Sequence, residues 1–182
     1  MPQSSRESRL SGERIYSGRV VVLEVDRVGL PNGGESVREV IRHRGAAVVL
    51  PLLDDGRVVL VRQYRYPVGE SLLELPAGTL EPAEDPMECA ARELAEETGL
   101  RARTLSPLGR FYSAPGYTDE TLHAVLATGL EQTAGTNPDR DELIETELVA
   151  PSEVARRIAS GEIRDAKTIA TLMLAQLRGV RL

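Results

Sequence analysis

One stretch in the middle of the chain constrains the fold most, because it specifies both ends of a helix. Asp85 can cap the first turn, Pro86 suits the first helical position, and Glu88 completes a capping-box pattern. Gly99 supplies the residue type that commonly ends a helix in the left-handed conformation. The sequence therefore predicts a helix over Pro86–Thr98.

Three carboxylates share one face of this predicted helix. Glu93, Glu96 and Glu97 are three and four residues apart, so their side chains lie on one stripe. Like charges at this spacing repel, and the arrangement makes sense if the stripe holds divalent cations, which prefer oxygen ligands. For these three residues taken alone, an ordinary solvated face is the alternative.

The loop before the helix adds further candidates. Gly78 follows a short strand and begins the loop, so the backbone carbonyl of Ala77 can point at the same cation. Arg92 neighbours the stripe and can orient a glutamate through a bidentate contact. Glu84 lies in the loop and can brace it.

The complete pattern is more specific than any of its parts. It consists of Gly, five residues, Glu, seven residues, and then Arg-Glu-Leu-X-Glu-Glu-X-Gly-Leu. A chance match has a probability on the order of 10⁻⁸ per starting point at average residue usage. The pattern resembles the Nudix box. The matching positions are Gly78, Glu84, Arg92, Glu93, Glu96, Glu97 and Gly99.

The resemblance implies a fold and a chemistry. The expected fold class is α+β, a Nudix-type α/β/α sandwich around a mixed β-sheet, with the box as a loop-helix-loop. Similar enzymes use Mg²⁺, with Mn²⁺ possible, to hydrolyse a nucleoside diphosphate linked to another group. By resemblance the metal ligands are Ala77, Glu93, Glu96 and Glu97, and the catalytic residues include Glu96 and Arg92.

Sequences flanking the box resemble the ADP-ribose pyrophosphatase branch. They are Val61–Pro67, Leu73–Gly78 and Ser113–Glu120, with Pro115 sixteen residues after Gly99. The resemblance implies cleavage of ADP-ribose to AMP and ribose 5-phosphate. Two alternatives remain: a hydrolase of another nucleotide sugar such as GDP-mannose, or a catalytically inactive Nudix-like nucleotide-binding sensor. Inactive modules usually lose box glutamates, and this chain keeps all of them.

Five residues are candidates for substrate binding by the same resemblance. Arg65 ends a strand before the site and can hold a phosphate oxygen, and Arg38 matches a substrate-contacting arginine on an early strand. Arg19 matches a segment that reaches the partner subunit's site in similar dimers. Gly116 belongs to the motif around Pro115, and Glu120 can bond the nucleoside or the terminal ribose. A surface or structural arginine is the alternative for Arg65, and a turn-capping carboxylate is the alternative for Glu120.

In similar ADP-ribose enzymes, the general base comes from an acidic loop after the box. The corresponding segment is Asp139–Glu145, and Glu142 is preferred because the next strand starts two residues later. Asp141 and Glu145 remain candidates, and a solvated acidic turn is the alternative for the whole segment.

Composition bounds the class of protein. The chain has 182 residues and a net charge of −6, and this acidity argues against nucleic acid as a partner. The N-terminus has no apolar signal region, and no apolar run is long enough to span a membrane. A cytoplasmic protein without membrane or nucleic-acid partners is expected.

The predicted domain organisation has three parts. Residues 1–12 are polar and expected to form a disordered tail, and 13–45 form an N-terminal antiparallel strand extension, with Ile15–Val28 predicted as strand. Residues 46–182 form the Nudix domain. By resemblance, the extension mediates formation of a homodimer.

Overall fold

The computed structural model describes residues 6–133 and 144–182. The strands are β1 (Ser8–Ser17), β2 (Val22–Gly29), β3 (Glu35–Arg42), β4 (Ala46–Pro51), β5 (Val58–Arg65), β6 (Glu70–Glu74), β7 (Ala77–Thr79), β8 (Leu100–Tyr112), β9 (Thr121–Gln132) and β10 (Ile144–Val149). The helices are α1 (Pro86–Thr98), α2 (Pro151–Ala159) and α3 (Ala166–Leu177). The chain divides into an N-terminal unit, made of residues up to Arg44 with Tyr112–Thr121, and a box unit, made of Gly45–Phe111 with Leu122–Leu182.

The N-terminal unit is built on an antiparallel sheet in the order β1-β2-β3. Strand β1 begins at Ser8, which pairs with Gly29, so residues 8–12 are strand where the sequence predicted a tail. The segment predicted as a single strand is divided by a turn, in which the Gly18 N–H donates to the Val21 carbonyl. Local composition missed the part of β1 before Ile15 because cross-strand hydrogen bonds, rather than apolar side chains, define it.

A distant segment joins this unit at the end of β3. The Ile41 N–H donates to the Tyr117 carbonyl at 2.8 Å, and the His43 N–H donates to the Asp119 carboxylate at 2.8 Å. The Arg42 guanidinium also contacts Asp119 at 3.2 Å. The loop between β8 and β9 thus packs with the N-terminal strands, which the predicted domain boundaries did not anticipate.

Strand β4 lies at the centre of the box unit. It is buried at all six positions, pairs parallel with β9 and antiparallel with β7, and belongs to a sheet in the order β7-β4-β9-β8. Val48 and Leu50 face a core shared with the sheet β10-β5-β6 and α3, whereas Val49 faces a second core shared with α1. A strand covered on both faces accounts for the continuous apolar run in the sequence.

Helix α1 has the ends that the sequence predicted. The Asp85 carboxylate accepts the Met87 N–H at 2.8 Å, and Gly99 ends the helix with a φ of 68°. Helix α3 is capped similarly, because Asp165 accepts the N–H of Thr168 at 2.9 Å. Within the described residues, no helix combines the length and apolarity needed to cross a lipid bilayer.

Candidate active site

Strand β7 and helix α1 bring the first and last parts of the box together. A Cβ atom at Gly78 would lie 1.8 Å from Glu93 Oε1, far inside any permitted contact. Only glycine therefore allows the Glu93 carboxylate to lie directly against the β7 backbone. This contact explains in physical terms why the pattern begins with glycine.

Glu97 is joined to the same strand. Its side chain is buried, with 4% of the residue exposed, and its Oε2 accepts the Ala77 N–H at 3.2 Å. A buried carboxylate is tolerated only when hydrogen bonds or opposite charges compensate its lost hydration. Glu97 is thereby held beside Ala77, and both residues are among the predicted metal ligands.

Arg92 is the centre of an ionic network that we call the Arg92 cluster: Arg92, Glu84, Glu93 and Glu96. Its Nε and Nη2 atoms form a fork on Glu84 at 2.9 and 3.0 Å. Its Nη1 atom donates to Glu93 at 2.7 Å and to Glu96 at 3.0 Å. One cation therefore serves three carboxylates, which leaves a formal surplus of two negative charges.

The network changes the ionisation of its members. The hydrogen bond from Arg92 lowers the pKa of Glu84 to about 2, although burial acts in the opposite direction. The bond to Glu84 in turn raises the pKa of Arg92. Burial raises the pKa of Cys89 to about 12, and the charges of Glu84 and Glu93 act in the same direction. The Cys89 thiol therefore stays protonated at neutral pH, while the Glu84 carboxylate stays charged.

The donor set of the box suits a hard divalent cation. Glu93, Glu96 and Glu97 offer only oxygen, and they project from one rigid helix with excess negative charge around it. Across 6–133 and 144–182, no three acidic, imidazole or thiol groups converge on one point as a complete metal site. Two of these glutamates instead share the Arg92 guanidinium. The residue types fit a hard divalent cation, and the close contact at Gly78 keeps the Glu93 carboxylate beside the start of the loop.

A second ionic network in the box unit was not predicted. We call it the Glu74 cluster: Glu74, Arg65, Lys167 and Asp165. Glu74 is 1% exposed, binds Arg65 Nη2 at 2.7 Å and also accepts a hydrogen bond from Lys167. Lys167 reaches Asp165 at 3.0 Å. The available sequence signal was a single acid within the apolar run Leu72–Leu75, and the pairing of β5 with β6 and the docking of α3 bring its partners to it.

The other predicted substrate residues belong to the N-terminal unit. Arg38 on β3 forms a fork on Glu7, with distances of 2.6 and 3.1 Å. Arg19 lies in the turn between β1 and β2, and Gly116 has open space where a side chain would be. Glu120 lies 3.5 Å from the His43 Nδ1 atom.

Glu142, the predicted general base, and its neighbour Asp141 lie outside the described residues. The third candidate, Glu145, is on β10 and pairs with Arg62 of β5.

Comparison with known proteins agrees with this geometry. The model of the NUDIX domain matches residues 42–172. The chain is 39% identical to the ADP-ribose pyrophosphatase of Bacillus subtilis, over 97% of this chain and 96% of that protein. It is 41% identical to the methanol dehydrogenase activator of Bacillus methanolicus, over 94% of each chain. It is 34% identical to a GDP-mannose pyrophosphatase of Yersinia enterocolitica, over 80% of this chain and 81% of that protein.

A solved structure supports the fold independently of the box. The crystal structure of an ADP compounds hydrolase superimposes with a TM-score of 0.84 at 24% identity, covering 96% of this chain and 95% of that one. This match confirms the predicted α+β sandwich. The match to the family model spans the box, its flanks and most of the core, so the chain belongs to the NUDIX family.

Proposed function

We propose that this protein hydrolyses the pyrophosphate bond of ADP-ribose, with a divalent metal ion, to give AMP and ribose 5-phosphate. The observation that carries the proposal is the surplus of negative charge on α1, where one arginine serves three carboxylates. The identity of 39% to an ADP-ribose pyrophosphatase along nearly the whole chain supports the choice of substrate.

The box residues supply the ligands for the metal. Glu93, Glu96, Glu97 and the Ala77 carbonyl would hold Mg²⁺, and Mn²⁺ has the same preference for oxygen. When bound, the ion offsets phosphate charge and lowers the pKa of a coordinated water. Arg92 orients Glu93 and Glu96, since its Nη1 atom contacts both carboxylates.

Other residues act on the substrate and on the attacking water. Arg65 binds a phosphate oxygen, and Arg19, Arg38, Gly116 and Glu120 contribute to binding of the nucleoside and ribose. The water attacks the phosphorus on the adenosine side, and Glu142 accepts its proton. Asp141 and Glu145 are the alternatives for this base.

A substrate panel tests the proposal. The purified protein is incubated with Mg²⁺ and ADP-ribose, ADP-glucose, NADH, GDP-mannose or diadenosine polyphosphates, and nucleotide release is followed by chromatography. The highest kcat/KM is expected for ADP-ribose. A preference for GDP-mannose would favour the second candidate, which the 34% identity to a GDP-mannose pyrophosphatase supports. Binding without turnover with either Mg²⁺ or Mn²⁺ would favour an inactive sensor.

The general base has its own test. Glu142→Gln is expected to lower kcat by at least ~100-fold, the low end of the contribution of a general base. Asp141→Asn and Glu145→Gln serve as comparisons. A kcat near that of the wild type in Glu142→Gln would transfer the role to whichever neighbour shows the loss.

The assembly and location are further parts of the proposal. A cytoplasmic homodimer without a nucleic-acid partner fits the net charge of −6 and the resemblance to dimeric enzymes. Strand β1, exposed at all ten positions, offers a surface for the dimer contact. Sedimentation equilibrium gives the mass in solution, and a monomer at micromolar concentration would contradict the assignment.

A further inference from the structure

Burial of the Glu74 carboxylate is energetically unfavourable. The residue is 1% exposed and lies between the buried residues Leu73 and Leu75. Burying a carboxylate costs free energy even when it is paired, and well-packed apolar residues often serve stability equally well. The position therefore calls for a reason other than stability.

The partners of Glu74 suggest that reason. Nε and Nη2 of Arg65 both donate to its carboxylate, at 3.2 Å and 2.7 Å for the shortest contact of each. The fork fixes the plane of the guanidinium and leaves Nη1 for other partners. Lys167, with 17% of its side chain exposed, binds the same carboxylate from the start of α3. The Arg65 side chain itself keeps 34% of its surface exposed and so remains accessible to a ligand.

The Glu74 cluster is continuous with the box. The segment between β6 and β7 is anchored at Leu75, whose N–H donates to Thr168 at 2.8 Å, and at Ala77, whose N–H donates to Glu97. Burial opposes the charge on Arg65, but the bond to Glu74 and the charges of Glu74 and Glu97 leave its pKa raised. Glu74 therefore holds Arg65 close enough to Glu97 of the box for the two charges to interact.

We propose that Glu74 is a positioning residue that fixes the Arg65 guanidinium for a phosphate oxygen of the nucleoside diphosphate. The inference rests on the proposed function and adds to it a residue that contacts no substrate. The fork holds Arg65 in one orientation before the substrate arrives, so less conformational entropy is lost on binding. Lys167 places a second positive charge on the same carboxylate, so neutralisation of the buried Glu74 does not depend on Arg65 alone.

A double-mutant cycle tests this mechanism. Glu74→Gln is expected to raise KM for ADP-ribose about 10-fold and to change kcat by less than about 3-fold, as for loss of a ground-state contact. Arg65→Ala is expected to raise KM at least as much. In the Arg65→Ala background, adding Glu74→Gln is expected to change KM by less than about 2-fold, because residues that act as a unit are not additive.

A matched control lies in the same unit. Glu147 also serves two arginines, Arg62 of β5 and Arg157 of α2, and Glu147→Gln is expected to leave KM unchanged. If Glu74→Gln does not fold, as judged by thermal melting, Glu74→Asp enters the same cycle with its charge retained. Unchanged KM in the folded Glu74 variant, or effects of Glu74 and Arg65 that add, would overturn the positioning role.

Different experimental results would contradict the proposed function and this inference. If the wild type hydrolyses no member of the panel, the proposed function fails, and the cycle is repeated on the calorimetric Kd for ADP. A 10-fold weaker Kd in Glu74→Gln that vanishes in the Arg65→Ala background would still support positioning. A wild type that does not bind ADP would overturn both, whereas an active wild type without coupling would overturn only this inference.

Discussion

The Arg92 cluster and the Glu74 cluster both join acidic to basic side chains, but they differ in net charge. In the Arg92 cluster, one cation contacts three carboxylates, and a formal charge of −2 remains. In the Glu74 cluster, Arg65 and Lys167 balance Glu74 and Asp165, so the formal charge is zero. A carboxylate near the box thus becomes a candidate metal ligand or a support for an arginine according to the cations around it.

Burial separates the most buried carboxylate of one cluster from the most exposed carboxylate of the other. The Glu74 side chain is 2% exposed and that of Glu96 is 36% exposed, whereas Glu84, Glu93 and Asp165 are between 12% and 15% exposed. A self-neutralised cluster tolerates removal from water, but a cluster with surplus charge requires water or a bound cation. The comparison predicts that the two networks respond differently to loss of a charge.

The largest effect is expected from removing a carboxylate of the proposed metal-binding face of α1. Glu97→Gln keeps the shape and an acceptor for the Ala77 N–H but removes a charge, and kcat/KM at saturating Mg²⁺ is expected to fall by ~10³-fold or more. Glu88→Gln, on an exposed position of the same helix, is the control and should retain activity. Similar activity in the two variants would remove Glu97 from the metal site.

An intermediate effect is expected from a change that moves a carboxylate without removing it. Gly78→Ala places a methyl group 1.8 Å from the present position of Glu93 Oε1, so the Glu93 side chain must move away from β7. Displacement of a reacting group by about 1 Å can cost ~10²-fold in rate, and a loss of that size in kcat is expected. Full activity in this variant would show that Glu93 works from another position.

The smallest effect concerns stability alone. Glu84→Gln removes the fork on Arg92 and is expected to lower the free energy of unfolding by about 2 kcal/mol at pH 7 without metal. The pKa of Glu84 is about 2 in the folded protein and near 4.5 when unperturbed, so its contribution is complete above about pH 4.5 and disappears as the pH falls towards 2.

Denaturant titrations across this pH range measure the contribution of Glu84. Glu81→Gln is the control, because it alters a charge in the same loop but keeps the Glu81 N–H that donates to Glu84. A stability difference between wild type and Glu84→Gln that stays constant from pH 7 to pH 2 would contradict the shifted pKa.

The sequence predicted those features that depend on local chemistry. The caps of α1, the shared face of Glu93, Glu96 and Glu97, and the buried character of β4 follow from helical and strand periodicity. The fold prediction is confirmed because the box pattern is specific and the structural match is extensive. Arg65 was predicted from its position at the end of a strand, but Glu74, the residue that binds it, was not predicted.

Long-range pairing decided the rest. Residues 8–12 are strand because β2 lies beside them. The loop around Asp119 joins the N-terminal unit because its backbone bonds to Ile41 and its Asp119 carboxylate accepts the His43 N–H, more than seventy positions earlier in the chain. Glu74 meets Lys167 only when α3 docks, ninety-three residues later in the chain. By itself, the sequence determined the helix and the shared face of its three box glutamates, the proposed metal ligands, because these residues lie within about one turn of each other. Only the tertiary structure decided which carboxylate would be neutralised, because its cations come from separate strands and helices.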